Sequence, residues 1–261
     1  MLATRTGMAE EAMTTQALSS PRAGGAARST SRSLARIGAV AALVGAPVLL
    51  VSTFLHPLGA DPNDAPEAFA EYAADSLWVW THLGQFLGFA LLAAALVTLA
   101  STFEQGRAAA WGRIGLAGTG AIIATAAALQ AVDGIALKVM VDRWAATAGD
   151  TREIAYQTAF AVRQIEIGLA SLLSLVSGFT VTVFGVALLV SRRYPGWLGA
   201  LGLAGGLGTV AGGVAQASTG FSGLAMTLSM LASAVLLGWV LPAGVVMWRL
   251  AGRLPRESDA A

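Results

Sequence analysis

Two histidines and a few carboxylates are the groups in this chain best suited to bind an ion or move a proton. His56 stands before Pro57, and His82 is followed one turn later by Gln85. Asp133 is preceded one turn earlier by Gln130, and Arg163 and Glu166 lie three residues apart. Imidazole and carboxylate are ligand types for zinc and related divalent ions. No His-Glu-x-x-His or comparable spacing accompanies them, so the sequence alone assigns no metal, no cofactor and no catalytic residue. There is no Walker A loop and no Gly-x-Ser-x-Gly elbow, and with no cysteine the thiolate chemistries are excluded.

Every one of these residues falls in or beside a long apolar stretch, where an ionisable group is costly and needs a partner. Arg163 and Glu166 can pair on one helix face, as can Lys138 and Asp142 four residues apart. Asp133 has no basic residue on the next or previous turn except beyond that reach, so its partner is expected from another helix, with His56, His82 and Arg163 as the candidates. His56, His82, Gln85, Gln130, Asp133, Arg163 and Glu166 together form the candidate polar pocket.

The elements that position them are membrane helices. Of the 261 residues, 56% are hydrophobic and 12% charged, against about 25% charged in an ordinary soluble domain. The apolar runs extend over Ile37–Leu55, Trp78–Ser101, Trp111–Val132, Ile165–Val190, Trp197–Gln216 and Leu224–Trp248. Each reaches roughly the 20 residues needed to cross the hydrocarbon, and without an alternating pattern the spans must be helical. The fold class expected is all-α, a polytopic bundle of six transmembrane helices over 34–252, between a disordered tail at 1–33 and a short one at 253–261. The first run is too long for the core of a secretory signal, which spans about 7–15 residues.

Arginines divide the loops. Arg107, Arg113, Arg192, Arg193, Arg249, Arg253, Arg256 and the amino-terminal tail fall on one side of six alternating spans. The opposite side receives the 56–77 loop, with five acidic residues and no Lys or Arg. The positive-inside rule then places both termini in the cytosol. An arginine-, alanine- and glycine-rich composition suits a bacterial cytoplasmic membrane. Membrane lipids are the expected partners; scattered arginines and a net charge of +1 exclude nucleic acid, and the sequence names neither a small-molecule ligand nor an oligomeric state. Trp78, Trp80, Trp111, Trp197 and Trp248 mark span ends as an aromatic belt would.

The loops have structure of their own. Asp64-Ala-Pro-Glu67 reads as the start of a short helix bearing Phe69 and Tyr72, and Asp150-Thr-Arg-Glu153 repeats that capping pattern, so the fourth span should begin outside the bilayer. The third should extend past Gly134 to about Ala146. Glycines four apart, as at Gly202 and Gly206, are expected to make packing seams inside the bundle.

A shift of 86 residues pairs Trp111, Gly120, Gln130 and Gly134 with Trp197, Gly206, Gln216 and Gly220, and a shift of 77 aligns Arg36-Ile-Gly with Arg113-Ile-Gly. Three repeats of a helical hairpin would follow, bringing His56, His82, Asp133 and Glu166 to one depth. The Leu55-His56-Pro57, Trp80-x-His82, Asp133-Gly134-x-Ala-x-Lys138 and Tyr194-Pro195-x-Trp197 segments resemble bacterial multi-pass membrane proteins classed only as domains of unknown function. That resemblance covers about Arg36 to Arg253 and implies a helical bundle without an assigned activity. Function is therefore expected to be an integral membrane protein with an outward-facing polar pocket for a small molecule, ion or lipid headgroup. A proton- or ion-coupled transporter and a membrane enzyme with an outer-face metal are the alternatives.

Overall fold

Small residues face inward and large apolar ones face outward, the reverse of a soluble core. Ala35, Ala39, Ala42 and Ala46 are buried, whereas Ile37, Val44, Leu87, Phe179, Leu207 and Leu231 are exposed. Only a hydrocarbon solvent makes that arrangement favourable, because packing between membrane helices gains from close backbone approach rather than from hiding apolar surface from water. The computed structural model describes residues 21–103 and 105–253, all of the regular structure there being helical.

The elements are α1 (Pro21–Phe54), α2 (Ala65–Ala74), α3 (Trp78–Ser101), α4 (Gly106–Gln130), a π-helical segment (Ala131–Leu137), α5 (Lys138–Ala146), α6 (Thr151–Val190), α7 (Gly196–Thr219) and α8 (Gly223–Gly252). Six helices are long and apolar enough to cross a membrane: Arg32–Phe54, Trp78–Ser101, Gly106–Ala146, Thr151–Val190, Gly196–Thr219 and Gly223–Gly252. The all-α six-span bundle expected from the sequence is the fold. The first helix begins at Pro21, so 21–33 of the stretch read as a tail is helical. Proline fits the first helical turn, where its missing N–H costs nothing. The rest of that tail, 1–20, and all but Arg253 of the carboxy-terminal one lie outside the described residues.

Each span packs on its neighbours in the chain, α1 on α3, α3 on α4, α4 on α6, α6 on α7 and α7 on α8, and α8 closes the ring on α1. The tightest seam joins α6 to α7. A Cβ on Gly178 would lie 2.6 Å from Gly206 O, and one on Gly202 would lie 3.2 Å from Gly185 Cα, so these glycines serve packing inside the bundle.

Two helices overreach the bilayer. Gly106–Ala146 and Thr151–Val190 are 41 and 40 residues long, about 60 Å at 1.5 Å per residue, or twice the hydrocarbon thickness. Their protruding ends and α2 build a second apolar core around Phe69, Tyr72, Trp78, Leu137, Val141 and Trp144. Asp64 caps α2, accepting from the Glu67 N–H at 3.3 Å. Asp150 stands at the N-cap of α6, but its side chain makes no capping bond because its backbone is already helical (φ −64°, ψ −25°). Trp80, Trp197 and Trp248 are exposed at span ends. Trp78 is not part of that belt: it is fully buried, drawn inward by the second core.

Candidate functional site

Three chain segments converge beneath the second core. The first is the exit from α1, where Pro57 prevents further helix and His56 turns back over the bundle. Its ring packs 4.8 Å from that of Trp78 and 5.3 Å from that of His82, centroid to centroid. The second is the first two turns of α3. There Trp78 Nε1 donates to Asp133 O at 3.0 Å, and His82 Nδ1 lies 2.7 Å from Trp78 O. The third is the π segment, whose extra residue per turn carries Asp133 inward; such bulges are frequent at functional sites.

Gly134 makes the approach possible. A Cβ there would lie 2.5 Å from His82 Cβ and 2.9 Å from His82 Cγ. With only hydrogen in that space, His82 Nε2 reaches Asp133 Oδ2 at 3.1 Å. One ligating atom from each of His56, His82 and Asp133 lies within 4.8 Å of the other two. His82 is 1% exposed, and Asp133 Oδ1 is buried with no hydrogen-bond partner.

The protons on these rings follow from their partners. A carbonyl oxygen only accepts, so His82 Nδ1, facing Trp78 O, must donate, as must His56 Nδ1, 2.9 Å from Pro57 O. A neutral imidazole that donates from Nδ1 has a lone pair at Nε2. At His82 that lone pair would point at a carboxylate oxygen, and two acceptors at 3.1 Å require a proton or a cation between them. Histidines that ligate metals characteristically anchor the other ring nitrogen on a backbone carbonyl, which fixes tautomer and ring direction. Burial pushes the His56 imidazole below its ordinary value of 6.5, outweighing the attraction of Asp133, and keeps its lone pair available.

The remaining sequence candidates form two flanking groups. On one side Arg163 Nη1 donates to Glu166 Oε2 at 2.7 Å, with both residues buried. The guanidinium also donates to Pro62 O at 3.3 Å and sits over the rings of Tyr72 and Phe221. Arg163 is thus Glu166's partner rather than Asp133's, and it fastens the 56–77 loop to α6. On the other side Gln130 Nε2 donates to Gln85 Oε1 at 3.3 Å, leaving Gln130 Oε1 buried and unmatched. A hollow of about 190 Å³ adjoins both His82 and Gln130.

Several residues that shape the site were not among the sequence candidates. Tyr72 roofs it, with its phenol pushed up to about 12 chiefly by burial. Lys138, expected only to pair with Asp142 and found 2.7 Å from it, also donates to Tyr72 O and Ala73 O. It thereby satisfies carbonyls at the end of α2 and favours that end of the helix dipole. Glu71 accepts from Gly59 N at 2.8 Å and Ala60 N at 3.0 Å, closing the loop on itself. Only the DAPE start of α2 signalled this lid in the sequence. Thr219, the counterpart of Asp133 under the 86-residue shift, bonds to Ala215 O and Ser222 Oγ.

Comparison with protein families, with curated proteins and with solved structures finds no match. The geometry described above therefore bears the functional argument by itself.

Proposed function

We propose that this is a multi-pass protein of a bacterial cytoplasmic membrane, related to the multi-pass proteins its motifs resemble, that binds a divalent transition metal ion at His56, His82 and Asp133. The observation that carries the reading is the approach of His82 Nε2 to Asp133 Oδ2 at 3.1 Å, with a ring nitrogen of His56 within 4.8 Å and Asp133 Oδ1 unmatched. Ligands at 2.0–2.2 Å around tetrahedral zinc lie about 3.3–3.6 Å from one another. The His82–Asp133 pair, at 3.1 Å, lies within a few tenths of an ångström of that spacing, and His56, in the loop beyond the end of its helix and within 4.8 Å, would complete a three-residue set by moving about 1 Å inward. Zinc is the first candidate because two imidazoles and one carboxylate are a borderline donor set.

Three protein ligands leave a position for water or substrate, as in catalytic rather than structural zinc sites. Metal chemistry on an outer-face substrate is the activity this supports. The arginine-bearing loops support a cytosolic placement of both termini and an external placement of the metal site. No ionisable side chain lines the cavity at the centre of the bundle among the described residues, which does not favour ion coupling through the bilayer midplane.

Elemental analysis of the full chain, purified without chelator and then titrated with zinc against a chromogenic competitor, tests the proposal. One equivalent of zinc is expected in the wild type, and none in His82→Ala or Asp133→Ala. A wild type that retains no more zinc than these variants would overturn it.

A further inference from the structure

The ring of helices is not filled at its centre. A cavity of about 370 Å³ lies between α1, α3, α4, α6 and α8, within the ~300–1,000 Å³ range of small-molecule sites. Its lining is polarised along the bundle. Thr53, Gln85 and Gln130 stand at the end near the histidine cluster, whereas Leu96, Val240 and the Trp239 indole, whose Nε1 has no partner, wall the far end. From Gln85 to Leu96 is 11 residues of α3, about 16 Å. Gln130 is 7% exposed and its Oε1 has no partner in the protein.

We propose that this cavity binds a neutral single-chain amphiphile, with a hydroxyl- or carbonyl-bearing head at Gln85 and Gln130 and its hydrocarbon tail directed toward Leu96. The space is partly open to its surroundings, and while it is unfilled its apolar walls lack dispersion contacts that an occupant would supply. Water is a poor occupant of the whole space, because each molecule needs two to four polar partners and beyond the amide end the lining offers only the Ser177 and Ser233 hydroxyls and the indole N–H of Trp239. A charged head is disfavoured because, among the described residues, no Lys, Arg, His, Asp or Glu lines the space. The amide pair provides both donor and acceptor groups, which suits a neutral polar head. None of the three proposed metal ligands lines the cavity, so binding stands apart from the metal reading.

The test is native mass spectrometry of the full chain in detergent, after chelator treatment, titrated separately with 1-mono-oleoylglycerol, decylubiquinone and oleate. A saturable one-to-one adduct is expected with at least one neutral probe, and about tenfold weaker binding of oleate. Mono-oleoylglycerol binding would identify a glycerolipid source and decylubiquinone binding an isoprenoid quinone; both support the proposal. Gln130→Leu should weaken the adduct about tenfold, as for loss of one good hydrogen bond. Ala93→Phe, which fills the cavity from α3, should abolish it, and Ser233→Phe provides the same block from α8 if the first variant does not fold. Failure of both neutral probes to bind, oleate binding as tightly as they do, or undiminished binding in a folded blocking variant would each overturn the proposal.

Discussion

Replacing Gly134 by alanine should take the site apart with a single methyl group. The added carbon would lie 2.5 Å from His82 Cβ, whereas carbon atoms prefer about 3.5–4.0 Å. His82 Cβ is fixed to the backbone of α3 and cannot rotate away, so α3 and the π segment must separate by about 1 Å. That displacement stretches both bonds across the gap, His82 Nε2 to Asp133 Oδ2 and Trp78 Nε1 to Asp133 O, now 3.1 and 3.0 Å. Overpacking costs about 1–3 kcal/mol, and weakening two buried hydrogen bonds adds about 1–3 kcal/mol. Alanine's better helix propensity returns up to about 1 kcal/mol. A net loss of about 1–6 kcal/mol follows, together with loss of zinc retention. The assay is thermal unfolding in detergent beside Gly120→Ala, where a Cβ meets nothing within 4 Å and no destabilisation is expected. Equal stability of the two variants would show that His82 and Asp133 are not held by this contact.

Other outcomes follow from the flanking groups. Arg163→Met should destabilise the chain by about 3–5 kcal/mol by stranding the buried Glu166 carboxylate, and Arg163→Met/Glu166→Leu should recover part of that loss; a double variant worse than the single would contradict the pairing. His56 has a folded value below its ordinary 6.5, so the unfolded chain binds its proton first and stability falls as pH drops below about 6.5. His56→Gln should flatten that decline in denaturation curves between pH 7 and 5, and an unchanged slope would count against the burial of the ring. In a Tyr156→Phe background the phenols of Tyr72 and Tyr194, both pushed up to about 12, should show no phenolate absorbance until pH nears 12; titration near 10 would place either ring in water.

Much of this arrangement was legible before any coordinates. Six apolar runs of sufficient length leave little freedom in the bilayer, since backbone hydrogen bonds must close within each helix. The extension of the third span to Ala146 and of the fourth beyond the membrane followed from the absence of proline and from capping residues. Local pairs were also readable, because Arg163–Glu166 and Lys138–Asp142 need only helical spacing. Gln85 with Gln130 and His82 with Asp133 are contacts between helices, and single-helix patterns cannot choose among such partners. Arg163 and His82 were equally admissible for Asp133 by charge; the π segment and Gly134 decide between them.

The π segment explains why the site escaped a motif search. Metal motifs place ligands at regular helical spacing, so that one face presents them all. Here one proposed ligand comes from a loop, one from a regular helix and one from a turn widened by an extra residue. Asp133 in an unbroken α-helix would point elsewhere, since one inserted residue rotates everything beyond it by about 100°. The same widening leads the chain from the membrane into the second core, where Leu137 and Val141 are fully buried against the loop helix. Packing outside the bilayer therefore fixes the register of the bulge, and the bulge in turn fixes the carboxylate. Truncating Leu137 to alanine, away from all three proposed ligands, should then weaken zinc binding as well as stability, whereas a comparable truncation at Leu198 on the far side of the bundle should cost stability alone.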